Sequence, residues 1–170
     1  RIADIDPSWV ELKQQTAEFV RQHAKIKMES NILSVGCGLG IIERSLIDSG
    51  FKNLEVTEIS EEPLRWLLPH ISSEKVHIGF FPECLPANKH YDAIILAGVE
   101  YFFSQNELID FLKSVLVRLL PGGTCLLISW SFEDESLDMR LVQRFISKGK
   151  DLAKFILDIT GIQKRGQFWG

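Results

Sequence analysis

The chain has 170 residues, of which 45% are apolar and 25% charged, and its formal net charge is −4. A chain of this length can bury one substantial core, so a single domain is expected. The acidic balance disfavours sequence-independent binding to nucleic acid, which relies on basic surface. No apolar run is long enough to span a membrane.

The cysteines Cys37, Cys84 and Cys125 are odd in number and widely spaced. They form no zinc-ligand pattern and no evident disulfide framework, so no metal site is predicted and each thiol is expected to be a small buried side chain. No signal-peptide pattern is visible. Together these features favour a reducing, cytoplasmic location.

The predicted elements alternate between helix and strand. Asp6 is expected to cap an N-terminal helix ahead of Pro7, and Ser104 with Glu107 forms a capping box before a later helix. Apolar runs predict strands at 31–35, 54–59, 76–80, 91–97 and 124–130. Such alternation predicts a three-layer α/β fold, with a doubly wound, mostly parallel sheet and a ligand crevice at the carboxyl ends of its strands.

A glycine loop follows the first predicted strand and leads into a helix that begins at Ile41. Gly36, Gly38 and Gly40 occupy alternate positions in it. Glycine allows a sharp turn and keeps no Cβ between the backbone and a ligand, while the helix N-terminus adds unpaired N–H groups. The pattern predicts a nucleotide-type cofactor site. The G-x-G-x-G spacing differs from the dinucleotide fingerprint G-x-G-x-x-G and disfavours a nicotinamide-dependent dehydrogenase.

This loop resembles motif I of the class I S-adenosylmethionine-dependent methyltransferases, of the type that acts on small molecules. Val56-Thr57-Glu58-Ile59-Ser60 resembles motif II, in which an acidic residue ends the second strand. The stretch from Tyr91 to Val99 resembles motif IV, and Leu119-Leu120-Pro121-Gly122-Gly123 resembles the family's turn before an apolar strand. The resemblance covers residues 32–130 approximately.

The resemblance implies a Rossmann-like methyltransferase fold, S-adenosyl-L-methionine as cofactor and S-adenosyl-L-homocysteine as product. Glu58 is expected to accept hydrogen bonds from both ribose hydroxyls, with a solvent-exposed acid at the strand end as the alternative. The implied reaction is a direct in-line displacement at the methyl carbon. The residues expected to contact the cofactor are Ser34, Gly36, Cys37, Gly38, Gly40, Glu58, Ile59, Phe80, Phe81, Ala97 and Gly98.

Two cofactor positions depart from the family pattern. Ser34 stands where family members usually carry Asp or Glu, two positions before the first glycine. Its hydroxyl can form a hydrogen bond but brings no negative charge. After the third strand, Phe80 and Phe81 stand near the place of an acid that binds the adenine amino group. Either ring could pack on adenine, or both could lie in the core, and Glu83 could replace the acid in a shifted register.

The C-terminal part is short for the family, whose sheet usually has seven strands and ends in an antiparallel hairpin. A helical region is expected from Ser136 to about Thr160, which leaves Gly161–Gly170 for a last strand. The C-terminal strands are therefore expected to be shortened or truncated. We assign 1–170 to one methyltransferase-like domain, with an N-terminal helix at 1–30, a cofactor-binding core at 31–130 and a C-terminal helical region with the last strand at 131–170.

The acceptor is not fixed by any motif. Ala97-Gly98-Val99-Glu100 replaces the [DNS]-P-P-[FYW] signature of DNA amino-methyltransferases, which disfavours base methylation. Glu100 and Tyr101 follow motif IV, where many small-molecule methyltransferases carry an acid or base, so both are catalytic candidates. A solvated loop acid and a packed ring are the structural alternatives. The expected acceptor is an oxygen or nitrogen of a small molecule.

A basic segment bears on the charge of that acceptor. Arg140, Arg144 and Lys148 recur every four residues, either as a solvated helix face or as a rim that attracts an anionic acceptor. The alternative function is a non-catalytic subunit with a cofactor-binding fold, which supports a partner enzyme or a fused domain. Ser34 favours that alternative slightly, whereas Glu58 and the intact glycines disfavour it.

Overall fold

The computed structural model describes residues 5–129 and the backbone of residues 156–161. Six parallel strands form one sheet in the order β3-β2-β1-β4-β5-β6. The strands are β1 Ile32–Val35, β2 Leu54–Glu58, β3 Val76–Ile78, β4 Tyr91–Ala97, β5 Leu119–Ser129 and β6 Ile156–Gly161.

Of the four α-helices in the described residues, α1 Pro7–Gln22 precedes β1, and the other three lie between strands: α2 Ile41–Asp48, α3 Glu61–Leu64 and α4 Gln105–Val117. The predicted caps are confirmed, because the Ser8 N–H donates to Asp6 Oδ1 at 2.8 Å and the Ser104 N–H donates to Glu107 Oε2 at 2.8 Å. Short 3₁₀ turns lie at Leu68–His70, Ser73–Lys75 and Glu100–Phe102. None of the helices in the described residues is long and apolar enough to cross a membrane.

The sheet is the middle of three layers. Alternate side chains of each strand point to opposite faces. One face carries Ile32, Ile95 and Leu126 and packs against α1 and α2. The other face carries Leu33, Ile94 and Leu127 and packs against α4. Burial of the strands on both faces explains their nearly continuous apolar sequences, and the predicted doubly wound architecture is confirmed.

The strand order reverses between β1 and β4. From β1 the chain proceeds outward through β2 to β3, and then crosses back to β4 on the other side of β1. In a doubly wound sheet such a reversal opens a crevice at the carboxyl ends of the two strands. The segments that follow β1, β2 and β4 therefore meet at one edge of the sheet.

Two predicted boundaries are wrong. The last strand lies at Ile156–Gly161, inside the segment expected to be helical up to about Thr160, and it pairs parallel to β5. No antiparallel strand occurs in the described part of the sheet. The strand expected to begin at Thr124 begins at Leu119, because Pro121-Gly122-Gly123 forms an irregular first part of β5 whose register against β4 shifts between Tyr91 and Ala93. Arg140, Arg144 and Lys148 lie outside the described residues.

Candidate functional site

The glycines of the loop after β1 meet different requirements. A Cβ on Gly36 would lie 2.8 Å from Val99 Cγ1, and a Cβ on Gly40 would lie 2.7 Å from Leu67 Cβ. Both glycines therefore allow close packing. Gly38 has a φ of +54°, and among the described residues a Cβ built there would meet nothing within 4 Å. Its backbone thus borders open space at the edge of the sheet, as expected for a surface that a ligand approaches.

Glu58 ends β2 and bridges to this loop. Its Oε2 accepts the N–H of Gly38 at 2.7 Å, and its Oε1 accepts the N–H of Ile59 at 2.8 Å. The N–H of Ser60 also donates to Oε1, at 3.5 Å. A carboxylate has about four lone-pair sites, so Oε2 can accept a further hydrogen bond. Glu58 is half-buried. The structure therefore gives it a role in holding the loop, in addition to the predicted role toward a ribose.

Ser34 has a carboxylate partner from another element. Its hydroxyl donates to Glu43 Oε1 at 2.5 Å, and both residues are about 1% exposed. Glu43 belongs to the first turn of α2, on the far side of the glycine loop. Burial raises the pKa of the Glu43 carboxyl, against the hydrogen bond from Ser34 and the charge of Lys13, which lower it.

The two aromatic candidates after β3 are placed differently. Phe80 is 69% exposed, beside the carboxyl end of β3. Phe81 packs edge-on against Phe111 of α4, with ring centroids 5.5 Å apart, and belongs to the periphery of the core on that face. Of the two rings, Phe80 is the one placed for a ligand. Ile59, 61% exposed, lies at the neighbouring end of β2.

The end of β4 contributes the residues that follow motif IV. Ala97 is half-buried, and the Gly98 N–H donates to the Ile128 carbonyl at 2.9 Å. Glu100 is 2% exposed, and neither of its carboxylate oxygens has a hydrogen-bond partner within the described residues. Tyr101 is 55% exposed, with its hydroxyl 3.4 Å from the Ser129 hydroxyl. One catalytic candidate is thus buried and the other lies at the rim.

Lys13 of α1 lies within electrostatic range of two acids of the site, Glu43 and Glu100. Burial lowers the pKa of Lys13 to about 8, and the nearby charges of Glu43 and Glu100 oppose that shift. Burial raises the pKa of the Cys37 thiol, as do the charges of Glu43 and Glu58. Cys37 is therefore a neutral thiol beneath the loop. No group of His, Cys, Asp and Glu in the described ranges 5–129 and 156–161 could hold a metal ion.

Sequence analysis missed Glu43 and Lys13. Neither belongs to a motif, and both are brought to the site by the packing of α1 on α2 and of α2 on the sheet. Ser34, which stands in place of the family's acid, was the one signal in the sequence that could have pointed to Glu43. A buried serine beside a glycine loop needs a hydrogen-bond partner for its hydroxyl.

The site fits a nucleoside cofactor with an amino-acid portion. Gly38 leaves the loop open to a ligand, Glu58 offers free lone pairs next to it, and buried oxygens of Glu43 and Glu100 have no partner within the part of the chain described. Such a surface can accept hydrogen bonds from hydroxyl groups and can bind a positively charged group. At Gly38 it also allows a ligand to approach the backbone closely.

Comparison with known proteins agrees with this geometry. The methyltransferase domain family profile matches residues 9–155. A curated relative, the N-terminal Xaa-Pro-Lys N-methyltransferase 1 of Xenopus tropicalis, is 26% identical over 157 residues, covering 88% of this chain and 69% of the relative.

Solved structures share the fold. DesVI of Streptomyces venezuelae aligns with a TM-score of 0.57 at 22% identity, over 77% of this chain and 55% of DesVI. CalS10, an amino pentose methyltransferase from Micromonospora echinaspora solved with bound S-adenosylmethionine, aligns with a TM-score of 0.58 at 22% identity, over 76% of this chain and 54% of its own. The chain thus spans about half the length of these two structures. It belongs to the methyltransferase domain family, which confirms the class I S-adenosylmethionine-dependent assignment made from its motifs.

Proposed function

We propose that this domain transfers the methyl group of S-adenosyl-L-methionine to a nitrogen or oxygen of a small-molecule acceptor. The proposal rests mainly on the hydrogen bond between Gly38 of the loop and Glu58 at the end of β2. The loop N–H and the strand-end carboxylate are hydrogen-bonded at 2.7 Å, next to space that no side chain of the described residues enters within 4 Å of a Cβ built on Gly38. Family membership supplies the reaction class.

The contribution of the chain would be binding and orientation. S-adenosylmethionine, when bound, supplies a methyl group already activated by a positively charged sulfur, so no nucleophilic side chain is required. Glu58 would hold the ribose, the loop backbone would fix the amino-acid portion, and Ile59 and Phe80 would cover the adenine. Placing a donor and an acceptor in line lowers the entropic part of the barrier.

Glu100 and Tyr101 are the proposed acceptor residues. An attacking amine develops positive charge and must finally release a proton, whereas a hydroxyl acceptor must lose its proton earlier. A buried carboxylate such as Glu100 can stabilise the cationic amine and accept that proton. Tyr101 at the rim can orient the acceptor through its hydroxyl. The oxygens of Glu100 are unpaired within the described residues, so this carboxylate is available for proton transfer from either kind of acceptor.

The names of two similar proteins both point to nitrogen as the acceptor atom but differ in the class of acceptor. The curated relative is named an N-terminal Xaa-Pro-Lys N-methyltransferase, and CalS10 is described as an amino pentose methyltransferase. We propose the small molecule as the acceptor class for this chain and treat the peptide as the competing outcome.

The test measures formation of S-adenosylhomocysteine with three acceptors: an amino sugar, the matching sugar with a hydroxyl in place of the amine, and a peptide beginning Xaa-Pro-Lys. Turnover of the amino sugar above both other acceptors supports the proposal. Preference for the peptide would overturn the acceptor class. Tight cofactor binding without turnover of any acceptor would favour the non-catalytic alternative.

Glu100→Gln tests the proposed catalytic role with the preferred acceptor. Loss of a general base or of charge stabilisation reduces kcat by about 100-fold or more, while the affinity for S-adenosylhomocysteine should stay within about twofold. An unchanged kcat would show that Glu100 is a structural acid. Tyr101→Phe should raise KM for the acceptor more than it lowers kcat, because it removes an orienting hydroxyl and no charge.

A further inference from the structure

Glu43 is a buried acid that the fold alone does not explain. Its side chain is 1% exposed, with Oε1 bonded to the Ser34 hydroxyl, and Oε2 has no hydrogen-bond partner within the described residues. A buried polar atom without a partner costs free energy, and such atoms in native proteins call for an explanation.

The position of Glu43 suggests what the carboxylate is for. Ser34 lies in β1 two residues before Gly36, and Glu43 lies in α2 three residues after Gly40. The hydrogen bond between them thus spans the base of the glycine loop. Glu43 is also close enough to Glu58 for their charges to interact. Two acidic side chains therefore lie at the loop end of the crevice.

That charge has a complement in the proposed cofactor. The glycine loop and the start of α2 present N–H groups and a positive helix end, which suit a carboxylate but not an ammonium group. The amino-acid portion of S-adenosylmethionine carries both groups. Resting on the proposed function, we propose that Glu43, held by Ser34, supplies the negative charge that binds the ammonium group of the cofactor's amino-acid portion.

Two further observations support this role. A charge in a position of low dielectric acts over several Å, so Glu43 can favour the ammonium group across the loop backbone. The hydrogen bond from Ser34 and the charge of Lys13 both lower the pKa of Glu43 against the effect of its burial, and thus favour the carboxylate form that this role requires. The carboxylate that family members carry at the position of Ser34 is in this chain contributed by α2.

The test compares two ligands by calorimetry. S-adenosylhomocysteine contains the amino-acid portion, whereas 5′-methylthioadenosine keeps the nucleoside and the sulfur but lacks that portion. Glu43→Gln preserves the volume and the acceptor for Ser34 but removes the charge. The variant's affinity for S-adenosylhomocysteine should fall at least about tenfold, whereas its affinity for 5′-methylthioadenosine should change by less than about twofold.

Control and rescue variants separate the role from a general effect on the loop. Glu74→Gln makes the same chemical change at an exposed site before β3, at the opposite edge of the sheet, and should alter neither affinity. Ser34→Asp added to Glu43→Gln returns a carboxylate to the loop, and the side-chain amide introduced in α2 can donate to it. The double variant should recover most of the lost affinity for S-adenosylhomocysteine.

The outcomes are distinct. If Glu43→Gln lowers the affinity for both ligands equally, or for neither, the proposed role of Glu43 is overturned. Binding of S-adenosylhomocysteine by the wild type would in that case still support the proposed function. A wild-type protein that binds 5′-methylthioadenosine as tightly as S-adenosylhomocysteine would also overturn it. Failure of the wild type to bind S-adenosylhomocysteine would overturn the proposed function and this inference together.

Discussion

Single residues of the loop after β1 differ in what they contribute. Gly36 and Gly40 make room for Val99 and Leu67, whereas Gly38 borders open space. The G-x-G-x-G pattern does not distinguish these three glycines, because it shows only that none of them has a side chain. The structure therefore assigns a packing role to Gly36 and Gly40, while the ligand role of Gly38 stays a prediction.

Replacement of Gly38 by Val tests the ligand role. The side chain would enter the proposed cofactor space and strain a backbone at φ +54°, so affinity for S-adenosylhomocysteine should fall below detection. Gly122→Val is a matched control, because Gly122 has a φ of +83° and equally open surroundings but lies at the start of β5, away from the crevice. Calorimetry should show near-normal affinity for the control. Similar affinities in both variants would mean that Gly38 only shapes a turn.

Glu58→Gln tests the strand-end acid. The variant keeps one acceptor oxygen and loses the charge, and hydrogen bonds to charged groups contribute about 1.5–3 kcal/mol each. Cofactor affinity should fall by about tenfold or more. Because Glu58 also accepts the N–H groups of Gly38 and Ile59, the ligand-free protein should lose about 1 kcal/mol of stability. A large loss of stability with unchanged affinity would identify Glu58 as a structural acid only.

The sequence was sufficient for part of the site. Glu58 and the glycines could be located because chemistry and backbone geometry restrict these positions to few residue types. Glu43 could not be located, because it reaches Ser34 through helix packing and no spacing rule links the two residues. Phe80 and Phe81 could not be distinguished, since adjacent residues of one turn point in different directions that depend on α4.

At the scale of elements, Glu55 ties three segments together on the face that packs against α4. His77 Nε2 of β3, the Lys89 ammonium and the Tyr91 hydroxyl of β4 lie 2.9, 2.5 and 3.0 Å from its oxygens. His77 is thereby structural. Burial would raise the pKa of Glu55, but the hydrogen bonds from Lys89, His77 and Tyr91 outweigh it and lower the pKa.

This network predicts a pH dependence of stability. Because the folded state lowers the pKa of Glu55, the unfolded state binds more protons near pH 4, and the contribution of Glu55 is lost as pH falls below its unfolded value of about 4.3. Glu55→Gln should destabilise the protein by about 1–3 kcal/mol at pH 7, and by clearly less at pH 4. Urea unfolding of both proteins at each pH measures the difference. A difference that does not shrink on acidification would contradict the account.

At the scale of the whole molecule, alternation of strand and helix was enough to predict a doubly wound sheet. Right-handed crossovers are expected to place helices on both faces of such a sheet, whereas the order β3-β2-β1-β4-β5 is known from the structure alone. The position of β6 was not predictable, because residues 156–160 carry an apolar pattern that suits a helix face or a buried strand equally. The basic residues Arg140, Arg144 and Lys148, outside the described ranges, keep their two interpretations.

The central claim is that the crevice at the ends of β1, β2 and β4 binds S-adenosylmethionine. Its most direct test is calorimetric titration of the wild-type protein with S-adenosylhomocysteine and, separately, with NAD. The G-x-G-x-G spacing and the Gly38–Glu58 contact predict one site for S-adenosylhomocysteine and at least about 100-fold weaker binding of NAD, a difference of about 2.7 kcal/mol. Equal affinity for the two ligands, or no binding of S-adenosylhomocysteine, would contradict the account.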